Sequence, residues 1–147
     1  MKLFVLSFFV FILIACNEAE KAVQVKDKFD AIEKIVGTAN WELVDGQDTS
    51  YLYFSRIGEA LFKAYHFRIE RGDTVNTIMN TITARQDTVI WNWRNLKLLL
   101  TDVTDNNITW ETINTEKEKY VLNKTDSLHI SFVLPGGYET KMKRTLP

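Results

Sequence analysis

The sequence predicts an all-β domain, an antiparallel meander of about 8–10 strands preceded by one short α-helix. After Asn40 the apolar residues recur with a period of two, and turn-forming residues interrupt them at intervals of roughly 8–14 residues. Threonine, a β-branched residue that suits pleated surfaces, is frequent, and no second helical pattern follows. A closed barrel is favoured over the alternative, a β-sandwich, because closure leaves no exposed strand edges.

The first 15 residues form a unit of their own. Lys2 is followed by an almost unbroken apolar run from Leu3 to Ala15. As a helix this run rises about 20 Å, which is shorter than the roughly 30 Å hydrocarbon core of a membrane. We therefore expect residues 1–15 to be a secretory signal peptide rather than a transmembrane anchor.

The residues Leu13-Ile14-Ala15-Cys16 resemble the lipobox of bacterial lipoproteins. The resemblance implies that Cys16 carries a diacylglycerol thioether and that its freed amine takes a further acyl chain such as palmitate, which together give stable anchoring. Cys16 is the single cysteine of the chain, so neither an intramolecular disulfide nor a cysteine-rich metal site is expected. The alternative is an ordinary signal peptide with an incidental cysteine.

The residues after Cys16 bear on location. Asp directly after the lipidated cysteine is the best-known signal for retention in the inner membrane, and this chain has Asn17 there. The resemblance therefore implies an outer-membrane lipoprotein of a Gram-negative cell envelope. Glu18 and Glu20 also resemble a surface-export signal, so the periplasmic and the surface side both stay open. Residues 16–24 are expected to be a lipidated tether, and residues 25–147 a single domain.

The helix is predicted over residues 25–36. Val25, Phe29, Ile32 and Val36 follow helical spacing, with charged residues between them. Gly37 comes next, where a left-handed C-terminal cap favours glycine. We expect the apolar stripe of this helix to cover a sheet or one end of a barrel.

Alternation and turn residues delimit the strands. The expected strands are 41–44, 51–57, 60–71, 76–82, 89–93, 96–103, 108–112, 120–122, 128–134 and 138–146. In the third of these, Leu61, Tyr65, Phe67 and Ile69 are expected to share the apolar face. His66 and His129 are accordingly expected on the faces opposite the apolar sets of their strands.

Three turns share the order Asp, hydroxyl residue, apolar residue: Asp73-Thr74, Asp87-Thr88 and Asp126-Ser127. The aspartate of such a turn can hydrogen-bond the turn backbone while the next residues enter a strand. The same pattern resembles the O-glycosylation acceptor that one group of Gram-negative bacteria uses in exported proteins. Thr74, Thr88 and Ser127 are therefore also possible glycosylation sites.

The helix, the meander, a tryptophan on the first strand and an arginine on the last strand resemble the lipocalin and fatty-acid-binding superfamily. In that family the tryptophan packs against the arginine at the closed end of the barrel, which implies a pair between Trp41 and Arg144. The Gly-x-Trp motif of lipocalins is absent, since Gly37 lies four residues before Trp41. Similar domains occur in small Gram-negative lipoproteins of no assigned function.

Several function classes are disfavoured. A formal net charge of −1 gives no basic field for nucleic acid. His66 and His129 lack the spacing of a metal or haem site. The serines lack the Gly-x-Ser-x-Gly motif of hydrolases. We therefore expect no enzyme activity, no catalytic residues, no metal and no cofactor.

The aromatic residues are the best candidates for a binding site. Trp91, Trp93 and Trp110 share a face if their strands pair, and Tyr51 and Tyr53 alternate in the same way. A wall of this kind suits a pocket for a small apolar or amphipathic ligand. The same residues at the surface would form a patch that contacts a partner protein. Packed against each other, they would simply be part of the hydrophobic core. The sequence thus predicts a lipid-anchored envelope protein that binds such a ligand. The alternative is a protein-interaction, assembly or inhibitor module at the outer membrane.

Overall fold

The computed structural model describes residues 21, 23–45 and 48–145. The predicted signal peptide, Cys16 and most of the predicted tether lie outside the described residues. No helix in the described part of the chain is long and apolar enough to cross a membrane.

Among the described residues, the helix, α1, covers residues 21 and 23–36. Its buried face consists of Val25, Phe29, Ile32, Ile35 and Val36. The backbone N–H of Gly37 donates to the carbonyl of Glu33 at 2.7 Å, and Gly37 has a φ of 59°, so the predicted glycine cap is present. Residues 23 and 24 are helical rather than part of a tether. They lie outside the apolar stripe, so hydrophobic periodicity could not reveal them.

Ten strands follow, and each pairs in antiparallel fashion with its neighbours. They are Asn40–Asp45 (β1), Asp48–Gly58 (β2), Leu61–Glu70 (β3), Asp73–Arg85 (β4), Thr88–Trp93 (β5), Leu96–Val103 (β6), Asn107–Thr112 (β7), Lys119–Lys124 (β8), His129–Val133 (β9) and Glu139–Thr145 (β10). Because β1 also pairs with β10, the meander closes into a barrel. The predicted lipocalin-like barrel with one helix is confirmed, and the β-sandwich alternative is wrong.

One strand extends well beyond its predicted limits. We expected the fourth strand over 76–82, yet β4 is 13 residues long and begins at Asp73. The preceding turn is made by Arg71 and Gly72, both with positive φ. Asp73 and Thr74 therefore already belong to the ladder with β3.

The two ends of the barrel differ. The β2–β3, β4–β5, β6–β7 and β8–β9 connections lie at the end that α1 covers, which we call the helix end. Phe29 of α1 stacks on Phe62 of β3 with ring centroids 5.6 Å apart. Arg56 of β2 donates to Asp30 at 2.5 Å and to Glu33 at 2.7 Å, which fixes the helix across this end. The remaining connections, β5–β6 and β9–β10 among them, lie at the opposite, open end.

Candidate functional site

Aromatic side chains fill the middle of the barrel. The rings of Trp91 and Trp93 stack with their centroids 5.6 Å apart. The rings of Trp91 and Trp110 pack edge to face with their centroids 5.5 Å apart. Phe132 lies 5.8 Å from Trp91 and 5.3 Å from Trp93, and Tyr120 lies 5.6 Å from Trp93. Only 2% of Trp91 and 1% of Trp110 is exposed. The three predicted tryptophans thus come together, and they do so inside the barrel.

A cavity of about 240 Å³ lies between this cluster and the open end. Its walls are mostly apolar, with a few polar side chains. The lining residues are Leu43, Leu52, His66, Trp91, Trp93, Arg94, Phe132, Leu134, Thr140 and Met142. Trp110 packs behind Trp91 and does not belong to this lining.

Trp91 carries a buried polar group that the fold leaves unsatisfied. Its indole Nε1 has no hydrogen-bond partner among the described residues. Leaving a buried donor unpaired costs about 1–3 kcal/mol, and most buried polar groups in folded proteins are paired.

His66 lines the cavity from β3. Its strand neighbours Phe62 and Ala64 are buried at alternate positions, so His66 lies on the inner face of the barrel. The expectation that it faces away from the core is wrong. Burial lowers the pKa of His66, and the positive charge of Arg94 lowers it further. His66 is therefore neutral at pH 7.

Arg94 is held in the β5–β6 turn by a buried amide. Its backbone N–H donates to the side-chain oxygen of Asn80 at 2.8 Å, and Asn80 is 4% exposed. Arg94 has a φ of 53°, as two-residue hairpins of this kind require. Its guanidinium lies over the ring of Trp93, 5.9 Å from the centroid. The result is a layered arrangement of Arg94, Trp93 and Trp91 beside the cavity.

Neither Arg94 nor Asn80 was identified from sequence. Two signals were available. Asn80 interrupts the apolar face formed by Ile78 and Ile82, and a polar residue in such a position often has a specific partner. The dipeptide Arg94-Asn95 joins two strands directly, and a two-residue hairpin of this kind needs positive φ in its loop.

Tyr51 and Tyr53 do not join the tryptophans. They alternate with Leu52, which lines the cavity, and with Phe54, which is buried against Trp91, so they lie on the outer face. Tyr51 stacks on Phe67 at 5.4 Å, and Tyr53 stacks on Tyr65 at 6.2 Å. The interpretation of Tyr51 and Tyr53 as cavity residues is therefore wrong, and so is the inward face assigned to Tyr65 and Phe67. We call these four residues the outer aromatic face.

His129 is the first residue of β9 and borders the turn that precedes this strand. The Asp126 carboxylate accepts hydrogen bonds from the backbone N–H of Leu128 at 2.7 Å and of His129 at 2.8 Å, and it lies 2.9 Å from the His129 ring. These contacts lower the pKa of the Asp126 carboxyl. The hydrogen bond from the Leu128 backbone contributes most, and the hydrogen bond with the His129 side chain comes next. Within the described ranges no group of three His, Cys, Asp or Glu side chains could hold a metal ion.

The hydroxyl residues of the three repeated turns differ in surroundings. The Thr88 hydroxyl donates to the carbonyl of Arg85 at 2.6 Å, while Thr74 and Ser127 are exposed. Asp126 and Thr88 thus hydrogen-bond the backbone of their turns, as side chains in turns commonly do. Glycosylation of Thr74, Thr88 and Ser127 stays a prediction.

Trp41 and Arg144 lie opposite each other on β1 and β10, next to the helix end. The indole N–H of Trp41 donates to the carbonyl of Val36, the last helical residue, at 2.8 Å. The Nε of Arg144 is buried and has no hydrogen-bond partner in the described part of the chain. Trp41 thus ties the end of α1 to the first strand.

No family model matches this chain, and neither a curated protein nor a solved structure is significantly similar to it.

Proposed function

We propose that this chain is a binding protein that takes up one small amphipathic molecule through the open end of its barrel. The observation that carries the proposal is the cavity, which has mostly apolar walls and a few polar side chains. Ligand sites generally combine apolar walls with a few polar groups that fix orientation. Enclosure of Trp91 and Trp110 favours a ligand site over a surface patch made of the same residues.

A blocked cavity tests this proposal. Thr140 lines the cavity, and Thr140→Trp would place a large ring in it. The matched control is Lys141→Trp, since Lys141 is the next residue of β10 and is exposed. Isothermal titration with hexanol and phenylacetamide should give binding to the wild type and to Lys141→Trp, and none to Thr140→Trp. Equal binding to all three proteins, or to none, would refute a site in this cavity.

We further propose that the protein is anchored in the outer membrane through acyl chains on Cys16. The support is the lipobox-like sequence Leu13-Ile14-Ala15-Cys16 and Asn17 at the following position. Mass spectrometry of the mature protein from a Gram-negative host should find an N-terminal Cys16 with the added mass of its acyl chains. Cys16→Ser should remain unacylated and leave the membrane fraction. An unmodified Cys16 in the wild-type protein would refute the anchor.

A second function, a protein-interaction module, is favoured by the outer aromatic face. Tyr51, Tyr53, Tyr65 and Phe67 are only half-buried there, and Met79 beside Tyr65 is 55% exposed. Crosslinking in the host envelope, followed by mass spectrometry, should then capture one defined partner. Tyr53→Ser with Tyr65→Ser should abolish that capture, whereas Thr140→Trp should not affect it.

A further inference from the structure

The polar side chains that line the cavity include one fixed positive charge. Arg94 is cationic, and Thr140 and neutral His66 can each donate a hydrogen bond as well as accept one. None of the described lining residues is Asp or Glu, and no described carboxylate forms an ion pair with Arg94. A wall with several donors, one fixed positive charge and no acid is complementary to an anion.

The volume limits the size of the ligand. An apolar cavity of about 150 Å³ in another protein holds one benzene molecule. The cavity here is about 240 Å³, which leaves room for a ring of that size and a short polar substituent. A long acyl chain does not fit in this space. The walls formed by Trp91 and Trp93 also suit a flat ring, because aromatic pairs favour offset stacking or edge-to-face packing.

Two features place the charge of the anion at the open end. Arg94 lies in the β5–β6 turn, and Asn80 holds its backbone there. The apolar residues Leu52, Phe132 and Met142 line the cavity on β2, β9 and β10. A ligand with one polar end would therefore direct that end towards Arg94 and keep its ring against the apolar walls.

We propose that the ligand is a compact aromatic monocarboxylate, whose carboxylate pairs with Arg94 while its ring stacks in the cavity. This inference rests on the proposed function, since it names the chemical class of the molecule that the cavity binds. A single guanidinium matches one carboxylate in charge, and the two form paired hydrogen bonds of favourable geometry. The neutral state of His66 leaves it able to donate to the same carboxylate.

Three probes of similar shape separate the effect of charge from that of hydrogen bonding. Phenylacetate carries a negative charge, phenylacetamide carries a neutral carbonyl acceptor, and ethylbenzene carries neither group. Isothermal titration of the wild-type protein at pH 7.5 should give the tightest binding with phenylacetate, by roughly tenfold over phenylacetamide, since charge-assisted hydrogen bonds are about twice as strong as neutral ones. Palmitate should not bind in the cavity.

Two variants test what Arg94 and Trp91 each contribute to binding. Arg94→Gln should weaken phenylacetate roughly tenfold and leave phenylacetamide and ethylbenzene unchanged. Trp91→Phe should weaken the three probes by similar factors, since it shortens a wall that all three contact and leaves Arg94 in place. Lys97→Gln, an exposed cation on β6 outside the lining, is the control and should change none of the three affinities.

Two results would overturn the inference while the proposed function stands: equal affinity for the three probes, or phenylacetate affinity that Arg94→Gln does not change. Tighter binding of palmitate than of phenylacetate would overturn the size limit. Absence of binding by every probe would instead refute the proposed function itself.

Discussion

One tryptophan next to the helix end and one in the middle of the barrel are equally buried, and they differ in one hydrogen bond. Trp41 and Trp91 are each 2% exposed. The Trp41 N–H donates to the carbonyl of Val36 at 2.8 Å, whereas the Trp91 N–H has no partner among the described residues. The first therefore joins the helix to the barrel, whereas the second belongs to a residue that lines the cavity.

The surroundings of the two residues extend this difference. At the helix end, Phe29 is fully buried and Arg56 bridges two helix carboxylates. At the open end, the inner wall carries His66, Arg94 and the cavity in place of a packed helix. We infer that the helix end stabilises the fold and that the open end is kept for binding.

The largest expected effect concerns the helix. Phe29→Ala removes a fully buried ring that stacks on Phe62, so the free energy of unfolding should fall by about 3–5 kcal/mol. Leu134→Ala at the open end removes a half-buried side chain beside an existing cavity, and the loss should be about 1–2 kcal/mol. Urea denaturation measures both. Equal losses would show that the two ends contribute alike.

The two tryptophans can be compared directly. Trp41→Phe leaves the Val36 carbonyl without its donor, while Trp91→Phe removes a donor that was already unpaired. Both variants lose ring volume, so Trp41→Phe should be less stable than Trp91→Phe by about 1–2 kcal/mol in urea denaturation. Greater destabilisation by Trp91→Phe would mean that its N–H already has a favourable partner.

The two sets of ion pairs at the helix end should contribute different amounts of stability, because they differ in exposure. Arg56 has 17% side-chain exposure and contacts Asp30 and Glu33, so Arg56→Gln should cost about 1 kcal/mol once solvent screening of its partly exposed partners is included. The control is Lys34→Gln, because Lys34 and Asp105 are 64% and 83% exposed. That variant should cost less than about 0.5 kcal/mol. Similar values from thermal unfolding would show that the Arg56 bridge does not hold α1 in place.

The smallest effect is a pH dependence from His66. Burial and Arg94 lower its pKa in the folded state below the ordinary value of 6.5. The unfolded chain therefore binds more protons between these two pKa values, and stability falls as the pH drops below about 6.5. In urea denaturation from pH 7.5 to 5, His66→Gln should lose less stability than the wild type. An identical loss in both proteins would show that His66 is accessible to protons without cost.

The sequence predicted the elements better than their faces. Helical spacing and Gly37 located α1 to within a few residues, and alternation located all the strands because each is bounded by turn residues. The inward face of β2 was predicted wrongly because both faces are apolar. Tyr51 and Tyr53 lie on one face, and Leu52 and Phe54 lie on the other. Register with β3, where Tyr51 lies opposite Phe67 and Tyr53 opposite Tyr65, decides between them. A period of two cannot supply that information.

The site was predicted in part for a similar reason. Trp91, Trp93 and Trp110 are large and inward-facing on strands that pair through β6, so local pattern sufficed to group them. The bond between Asn80 and the Arg94 backbone joins residues on different strands, and it depends on how far β4 extends past β5. Only the folded barrel shows which residues line the cavity.

The most direct test of this asymmetry is a ¹⁵N–¹H NMR spectrum of the indole N–H groups of the four tryptophans, recorded with and without phenylacetate. Trp41→Phe and Trp91→Phe assign two of the signals. We expect phenylacetate to move the Trp91 signal, since the ligand ring binds beside that indole, while the Trp41 signal stays in place. A Trp91 signal that does not move when phenylacetate binds, or a Trp41 signal that moves as far, would contradict the account.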